Sequence, residues 1–317
     1  MPELPEVEGI RRRIGPRVVG QRIDALDILD PKLWLPAEGL SATDAAGRTI
    51  EALDRHAKLL HWRLSDGLSL VLHLKLAGQV VYTGASGERL VGGHPYPLPG
   101  AVLPDRSTRF ILRLSDGAQI FINDQRRFAW LRLLPQPAAE AFIAAQGFGP
   151  DPLAPGFTPE VLAERLRRRK DRPIKVALMD QTCLAGLGNI YADEALHAAR
   201  LHPLTRTGDL TADEVARLHR AIIDVLEVAV PVGGAIVKIN RAVSEPETGR
   251  DFLRVHGREG EPCLDCGAAP PAGGAAPRVV RIVVGGRGTY LCPVCQPAPA
   301  GTARPAAENG PRSDGTA

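Results

Sequence analysis

The stretch Leu60-His61-Trp62-Arg63-Leu64-Ser65-Asp66-Gly67-Leu68-Ser69-Leu70-Val71-Leu72-His73-Leu74 alternates apolar and polar side chains on both sides of a Ser-Asp-Gly turn. Alternation with period two turns one face of a strand toward a core, and Asp-Gly at the centre is a hairpin signal. The same design recurs downstream, where Phe110, Leu112 and Leu114 lead into Ser115-Asp116-Gly117. Alternation of this kind runs from about residue 20 to 135, which predicts an antiparallel β-sandwich. Outward from it, Pro5 suits a first helical turn, Glu6 and Glu8 complement the helix dipole, and Val7, Ile10 and Ile14 share one face, with Arg11, Arg12 and Arg13 on the other.

On the C-terminal side, Gly147 to Pro155 is rich in Gly and Pro and reads as linker. Helical periodicity follows, opened by Thr158-Pro159-Glu160 and again by the capping box Thr211-Ala212-Asp213-Glu214. A short hairpin flanked by cysteines begins near Gly285, and the Pro-, Ala- and Gly-rich end is expected to be disordered. The predicted organisation is an α+β multidomain chain: a β-sandwich with an N-terminal helix over 1–135, a linker over 136–155, a helical domain over 156–250, a cysteine hairpin over 251–296 and a tail over 297–317. No internal repeat is present.

With 317 residues, 44% of them hydrophobic and 24% charged, the chain has apolar content for two cores. The start MPELPEVEGIRRR lacks the basic-then-apolar run of a signal peptide, and no apolar window is long enough to span a bilayer. The expectation is a cytoplasmic protein with no membrane partner. A net charge of +3 decides nothing about nucleic acid; clustering at Arg126-Arg127 and Arg167-Arg168-Arg169-Lys170 fits either phosphate contact or a solvated face.

Cys263-Leu264-Asp265-Cys266 and Cys292-Pro293-Val294-Cys295 carry more information. Two Cys-x-x-Cys pairs can bring four thiolates to one tetrahedral Zn2+. Four sulfur ligands leave no open position, so the zinc is structural and catalysis lies elsewhere. The fifth cysteine, Cys183, sits in an apolar helical stretch and reads as packing. Between the pairs, an Ala/Gly/Pro-rich insertion precedes Arg278, Arg281 and Arg287, which suit phosphate contact or simple solvation.

Pro2 raises a different chemistry. Removal of Met1 before a small residue would leave a secondary amine, and an α-amino group with a pKa near 7.7–8.0 is roughly a tenth neutral at pH 7. Such an amine can attack an anomeric carbon while Glu3 or Glu6 supplies the proton. An ordinary helix start explains the same residues.

Taken together these segments resemble the formamidopyrimidine-DNA glycosylase family from Pro2 to about Gln296. Pro2-Glu3-Leu4-Pro5-Glu6-Val7-Glu8 looks like the family's N-terminus and Arg55-His56-Ala57-Lys58 like its lysine loop. Asp124-Gln125-Arg126-Arg127-Phe128 is similar to the loop that enters DNA, Gly186-Leu187-Gly188-Asn189-Ile190-Tyr191 to the helix-two-turn-helix element, and the four cysteines to its zinc finger. The resemblance implies a monomeric bifunctional glycosylase and abasic-site lyase acting on damaged double-stranded DNA in base excision repair. Pro2 would be the nucleophile, Glu3 the general acid with Glu6 in support, Lys58 the proton donor of the first elimination, and Arg287 the arginine of the second. Arg126 and Phe128 would fill the void left by the extruded base, helped by Leu76 where the family usually has methionine. Lys170, Lys175, Asn189, Tyr191 and Lys238 would face DNA.

Other positions depart from the family pattern. Gln125 replaces the family's usual proline and loosens the expected turn, Ser107 stands where the family often has a phosphate-contacting histidine, and the loop from Gly233-Gly234 through Lys238 to Gly249 lacks the aromatic often found near its end and carries Glu245 and Glu247. Oxidised purines are the expected lesions, because Val7-Glu8 follows Glu6. An endonuclease VIII-like enzyme for oxidised pyrimidines would share Pro2, Glu3 and Lys58, and a non-catalytic zinc-finger DNA-binding protein would need only the finger and the basic clusters.

Overall fold

The computed structural model describes residues 1–98, 100–235, 252–266 and 276–299. Lys238, the loop acids Glu245 and Glu247, most of the insertion between the cysteine pairs and the tail beyond 299 lie outside the described residues.

Helix α1 (Leu4–Val18) opens the chain. Nine strands follow: β1 (Ile23–Ile28), β2 (Ile50–His56), β3 (Leu59–Leu64), β4 (Leu68–His73), β5 (Gly78–Thr83), β6 (Arg89–Gly93), β7 (Thr108–Leu114), β8 (Gln119–Asp124) and β9 (Trp130–Pro135). They form two antiparallel sheets, ordered β1-β7-β8-β5-β6 and β2-β3-β4-β9. The alternating residues meet between them: Phe110, Leu112, Ile120 and Ile122 face Leu60, Trp62, Leu70, Leu72 and Leu131. Val7, Ile10 and Ile14 of α1 complete this core. Both Ser-Asp-Gly turns close hairpins as expected. At the first, Leu64 pairs with Leu68, and Asp66 and Gly67 take φ values of 56° and 72°, the left-handed geometry a tight hairpin needs.

Helix α2 (Gln136–Ala144) corrects the expected linker. Its Ala139 is buried and its Phe142 packs edge-on against Trp130, so nine residues assigned to a connection cover the outer face of the second sheet. Pro137 in the first turn starts the helix, but so short a segment offers too few turns for a period to emerge. Beyond it, α3 (Pro159–Arg167), α4 (Ile174–Met179), α5 (Asn189–Ala198) and α6 (Ala212–Ala229) enclose a second core. Thr158 and Thr211 cap α3 and α6 by accepting from Val161 N and Glu214 N. Leu4 belongs to this helical core although its helix lies on the sandwich, so α1 pins the two together. Cys183 is buried there, with burial pushing its thiol up to about 11, as befits a packing residue. The hairpin β10 (Val280–Val284) and β11 (Arg287–Leu291) ends the described fold. Among the described residues no helix is long and apolar enough to cross a membrane.

Candidate active site

The start of α1 meets the start of α5, and glycines make the approach possible. Leu4 N donates to Gly186 O at 3.0 Å. A Cβ on Gly188 would lie 2.4 Å from Glu3 Cδ, and one on Gly234, which has φ +83°, would lie 2.1 Å from Glu6 Oε1. Glu3 is buried, and its carboxylate accepts from Ile190 N at 3.0 Å and Tyr191 N at 3.4 Å, in the first turn of α5. The otherwise unpaired N–H groups of the helix start find their acceptor in these oxygens. Glu6 is fully buried; it accepts from Glu3 N at 2.9 Å and from Tyr191 OH at 2.7 Å. Burial, with the neighbouring Glu3, raises its pKa to about 7. Pro2 is buried beside these acids. Burial also lowers the pKa of the chain's terminal amine, against the pull of Glu3 and Glu6 and with the push of Lys58 and Arg126.

Lys58 follows Ala57, whose φ of 53° turns the β2–β3 hairpin sharply. Its ammonium donates to Leu187 O at 2.8 Å, an atom that also accepts from the Gln181 side chain at 2.8 Å. Gln181 Oε1 accepts in turn from Gly186 N. Gln181 thus shapes the glycine turn, a role no sequence motif disclosed. Burial lowers the Lys58 pKa, opposed by Glu3 and Glu6 and reinforced by Arg287. Arg287 opens β11 exposed, and the turn before it has Gly285 and Gly286 at positive φ, Gly285 lying against Val176 of α4. Asn189 ties this hairpin to α5 by donating to Gly288 O at 2.9 Å.

Two residues expected to face DNA do not. Lys175 is wholly buried in an ion pair with Asp193, and burial lowers its pKa against the pull of that partner. Its ammonium braces α5 from inside instead of reaching a phosphate. Tyr191 is 1% exposed, and its hydroxyl bridges Glu6 and Ala235 N. Burial drives its pKa far up, so it works as a neutral donor to Glu6. Lys170 is exposed, consistent with a surface role.

The loop after β8 is better ordered than Gln125 suggested. The buried Asp124 carboxylate accepts from Arg126 N at 2.9 Å, Phe128 N at 2.7 Å and Ala129 N at 2.6 Å, replacing whatever rigidity a proline would add. Arg127, at φ 58°, forms two bonds to Asp30 at 2.7 and 2.9 Å and is thereby occupied. Arg126 and Phe128 are left pointing outward, Phe128 at 52% exposure. Leu76 is exposed at the β4–β5 turn. Ser107 is buried and donates to Asp105 at 2.6 Å, so it offers nothing to a phosphate in this position. Arg11 and Arg12 spend their charge on Glu8, which also receives Arg55; these partners hold the Glu8 carboxyl at about 2 despite its burial.

The four cysteines form the expected metal centre. All four sulfurs lie within 4.8 Å of one another, with Cys263 and Cys295 at 3.8 Å and Cys266 and Cys292 at 3.5 Å. Four sulfurs at about 2.3 Å from one tetrahedral Zn2+ would be about 3.8 Å apart, so the donor set and its geometry fit a structural zinc. Three of the four are buried.

A sandwich pinned by its first helix to a helical domain, with a four-cysteine hairpin tied to α5 beside buried acids and an exposed loop after β8, defines a class of DNA-lesion-processing scaffold. Three family models agree: the formamidopyrimidine-DNA glycosylase N-terminal domain over residues 1–131, the formamidopyrimidine-DNA glycosylase H2TH domain over 148–241 and the zinc finger found in FPG and IleRS over 278–298. The formamidopyrimidine-DNA glycosylase of Exiguobacterium sibiricum is 38% identical over 300 residues, covering 93% of this chain and 99% of its own. That of Symbiobacterium thermophilum is 40% identical, covering 96% and 92%. A mutant Lactococcus lactis enzyme in complex with Fapy-dG-containing DNA superposes with a TM-score of 0.77 at 31% identity, covering 94% of this chain and all of that one. The Lactococcus lactis enzyme bound non-covalently to DNA with an abasic site gives 0.76 at 29% identity, covering 93% and 100%. The chain belongs to the formamidopyrimidine-DNA glycosylase family.

Proposed function

We propose that the chain is a bifunctional DNA glycosylase and abasic-site lyase of base excision repair that removes oxidised purines, 8-oxoguanine and formamidopyrimidines, from duplex DNA. The observation that carries this reading is that Pro2, Glu3, Glu6 and Lys58 are all buried, with Glu3 and Glu6 acting electrostatically on both the Met1 amine and Lys58, while Arg126 and Phe128 stand exposed on the loop after β8.

Loss of Met1 exposes the Pro2 secondary amine. Its lone pair forms a bond to C1′ of the damaged nucleotide as the C1′–N bond breaks, and the departing base takes a proton from Glu3. Glu6, protonated up to about pH 7, adds no negative charge beside Glu3. The new ammonium on Pro2 gives its proton to Glu3, which passes it to O4′ as the ring opens to an iminium; loss of a C2′ proton to water then breaks the C3′–O bond and expels the 3′ phosphate, with Lys58 as the proton donor of this elimination. Arg287 meets the remaining phosphate, whose departure is the second elimination. Arg126, Phe128 and Leu76 occupy the vacated stack. The enzyme works as a single chain in the cytoplasm, on DNA.

Borohydride trapping tests this. Protein starting at Pro2 should form a reducible cross-link with a duplex containing 8-oxoguanine, and the cross-linked peptide should carry Pro2. A cross-link on Lys58, full activity with Met1 retained, or trapping on thymine glycol in place of 8-oxoguanine would refute the nucleophile or the lesion class.

A further inference from the structure

Three loops leave the same end of the first sheet. Gly78, the first residue of β5, pairs with Asp124, the last of β8, and Gln79 pairs with Gly93, the last of β6. The turn before β5 carries Leu76 and the loop after β8 carries Arg126 and Phe128. The segment after β6 begins His94-Pro95-Tyr96-Pro97, and no motif in the sequence singled it out. It is anchored to the sheet. His94 N donates to Gly78 O at 2.8 Å, and the Gln79 side chain, wholly buried, donates to both His94 O and Pro97 O at 2.8 Å. Gln79 Oε1 accepts from Asn123 Nδ2 at 3.0 Å, and Asn123 Oδ1 accepts from Thr108 Oγ1 at 2.8 Å. A buried polar ladder across β7, β8 and β5 therefore fixes two carbonyls of this segment, and satisfied networks of this sort are rigid.

On that fixed backbone Tyr96 stands 48% exposed, its ring centroid 6.0 Å from that of His94. Because β5 pairs with β6 at Gly93 and with β8 at Asp124, the segment leaves the sheet next to the turn of Leu76 and the loop of Arg126 and Phe128. A large exposed aromatic on an anchored backbone, at the same end of the sheet as the loops of Leu76 and Phe128, offers a surface for another flat apolar group.

We propose that Tyr96 is a further DNA contact, stacking on a nucleobase next to the void left when the damaged nucleotide is extruded. Resting on the glycosylase reading above, the proposal extends the wedge from two loops to three. Stacking needs the π face of the ring and not the hydroxyl. Base–aromatic stacking of this kind changes affinity by roughly tenfold on alanine substitution.

The test uses the full chain, a duplex containing a tetrahydrofuran abasic analogue with 2-aminopurine beside it, and the same duplex undamaged. Tyr96→Phe should bind within about twofold of wild type, and Tyr96→Ala about tenfold more weakly, with brighter 2-aminopurine emission and no change on undamaged duplex. Tyr96→Leu, which keeps apolar bulk without a flat face, should behave as the alanine variant does. Equal binding of the wild-type and alanine proteins to the abasic duplex would overturn the proposal, as would an equal loss on both duplexes or leucine matching phenylalanine. A wild type that shows no preference for the abasic duplex would instead sink the glycosylase reading itself.

Discussion

Glu3 and Glu6 lie one helical turn apart and serve different ends because their surroundings differ. Glu3 spends its oxygens on the amides of α5; Glu6 is sealed behind Tyr191, and its pKa rises from 4.5 to about 7. In the unfolded chain Glu6 loses its proton near pH 4.5, whereas the folded protein keeps it to about 7. Between these values the folded state binds the extra proton, so this contribution to stability is fully present below pH 4.5 and is lost as pH rises through 7. The fully developed difference is on the order of 3 kcal/mol. Glu8 acts oppositely: held at about 2 by its arginines, it contributes above pH 4.5 and is lost as pH falls toward 2. Urea midpoints from pH 4.5 to 8 should therefore show a flatter profile for Glu6→Gln than for wild type, and parallel profiles would contradict the assignment. For chemistry, Glu3→Gln should abolish excision of 8-oxoguanine yet retain cleavage at preformed abasic sites, because that step begins from an accessible aldehyde. Measuring both reactions on one preparation separates this outcome from misfolding.

Helix α5 gathers what the site needs along ten residues. Its first turn receives Glu3, Asn189 holds the zinc hairpin, Asp193 takes Lys175 and His256, and Glu194 accepts from the backbone of Arg254, Val255 and His256. Removing Asp193 strands a buried ammonium, so Asp193→Ala should destabilise the protein by about 3–5 kcal/mol. The double change Lys175→Met with Asp193→Leu should recover most of that, as measured by thermal melting; no recovery would mean that the pair is not what Asp193 supports. Sequence legibility divides along the same line. The Ser-Asp-Gly hairpins, the Thr158 and Thr211 caps and the Cys-x-x-Cys pairs were readable because each is encoded within a few neighbouring residues. Lys175 and Tyr191 were misread as DNA-facing because their partners, Asp193 for one and Glu6 with Ala235 for the other, sit on elements whose packing no local pattern reports. Asp124 was likewise hidden: the sequence showed a missing proline at Gln125, and only the fold shows one carboxylate holding three amides in its place.

At the scale of the molecule, two large cores and a metal-held hairpin form distinct clusters, which makes the part played by zinc measurable. The sandwich core and the helical core contain no cysteine ligand, and the cluster around Cys263, Cys292 and Cys295 stands apart from both. The hairpin is too small to bury a core without its metal, so chelation or Cys292→Ser should release β10 and β11 and with them Arg287. All three tryptophans, Trp34, Trp62 and Trp130, lie in the N-terminal domain, so their emission and urea transition report that domain alone. Both should survive zinc removal. DNA affinity should fall at least tenfold, because a lost phosphate contact adds to the lost positioning of neighbouring groups. The salt dependence separates these two contributions. On the proposed roles, with Lys170 and Arg287 meeting phosphates and Arg126 carrying its charge into the duplex, wild-type affinity should fall steeply between about 50 and 200 mM salt, and the zinc-free protein should show a slope shallower by about one, the change expected for one released phosphate. Unchanged affinity after chelation would mean that Arg287 does not need the metal, and unchanged slope with weaker binding would mean that the hairpin acts through shape and not through charge.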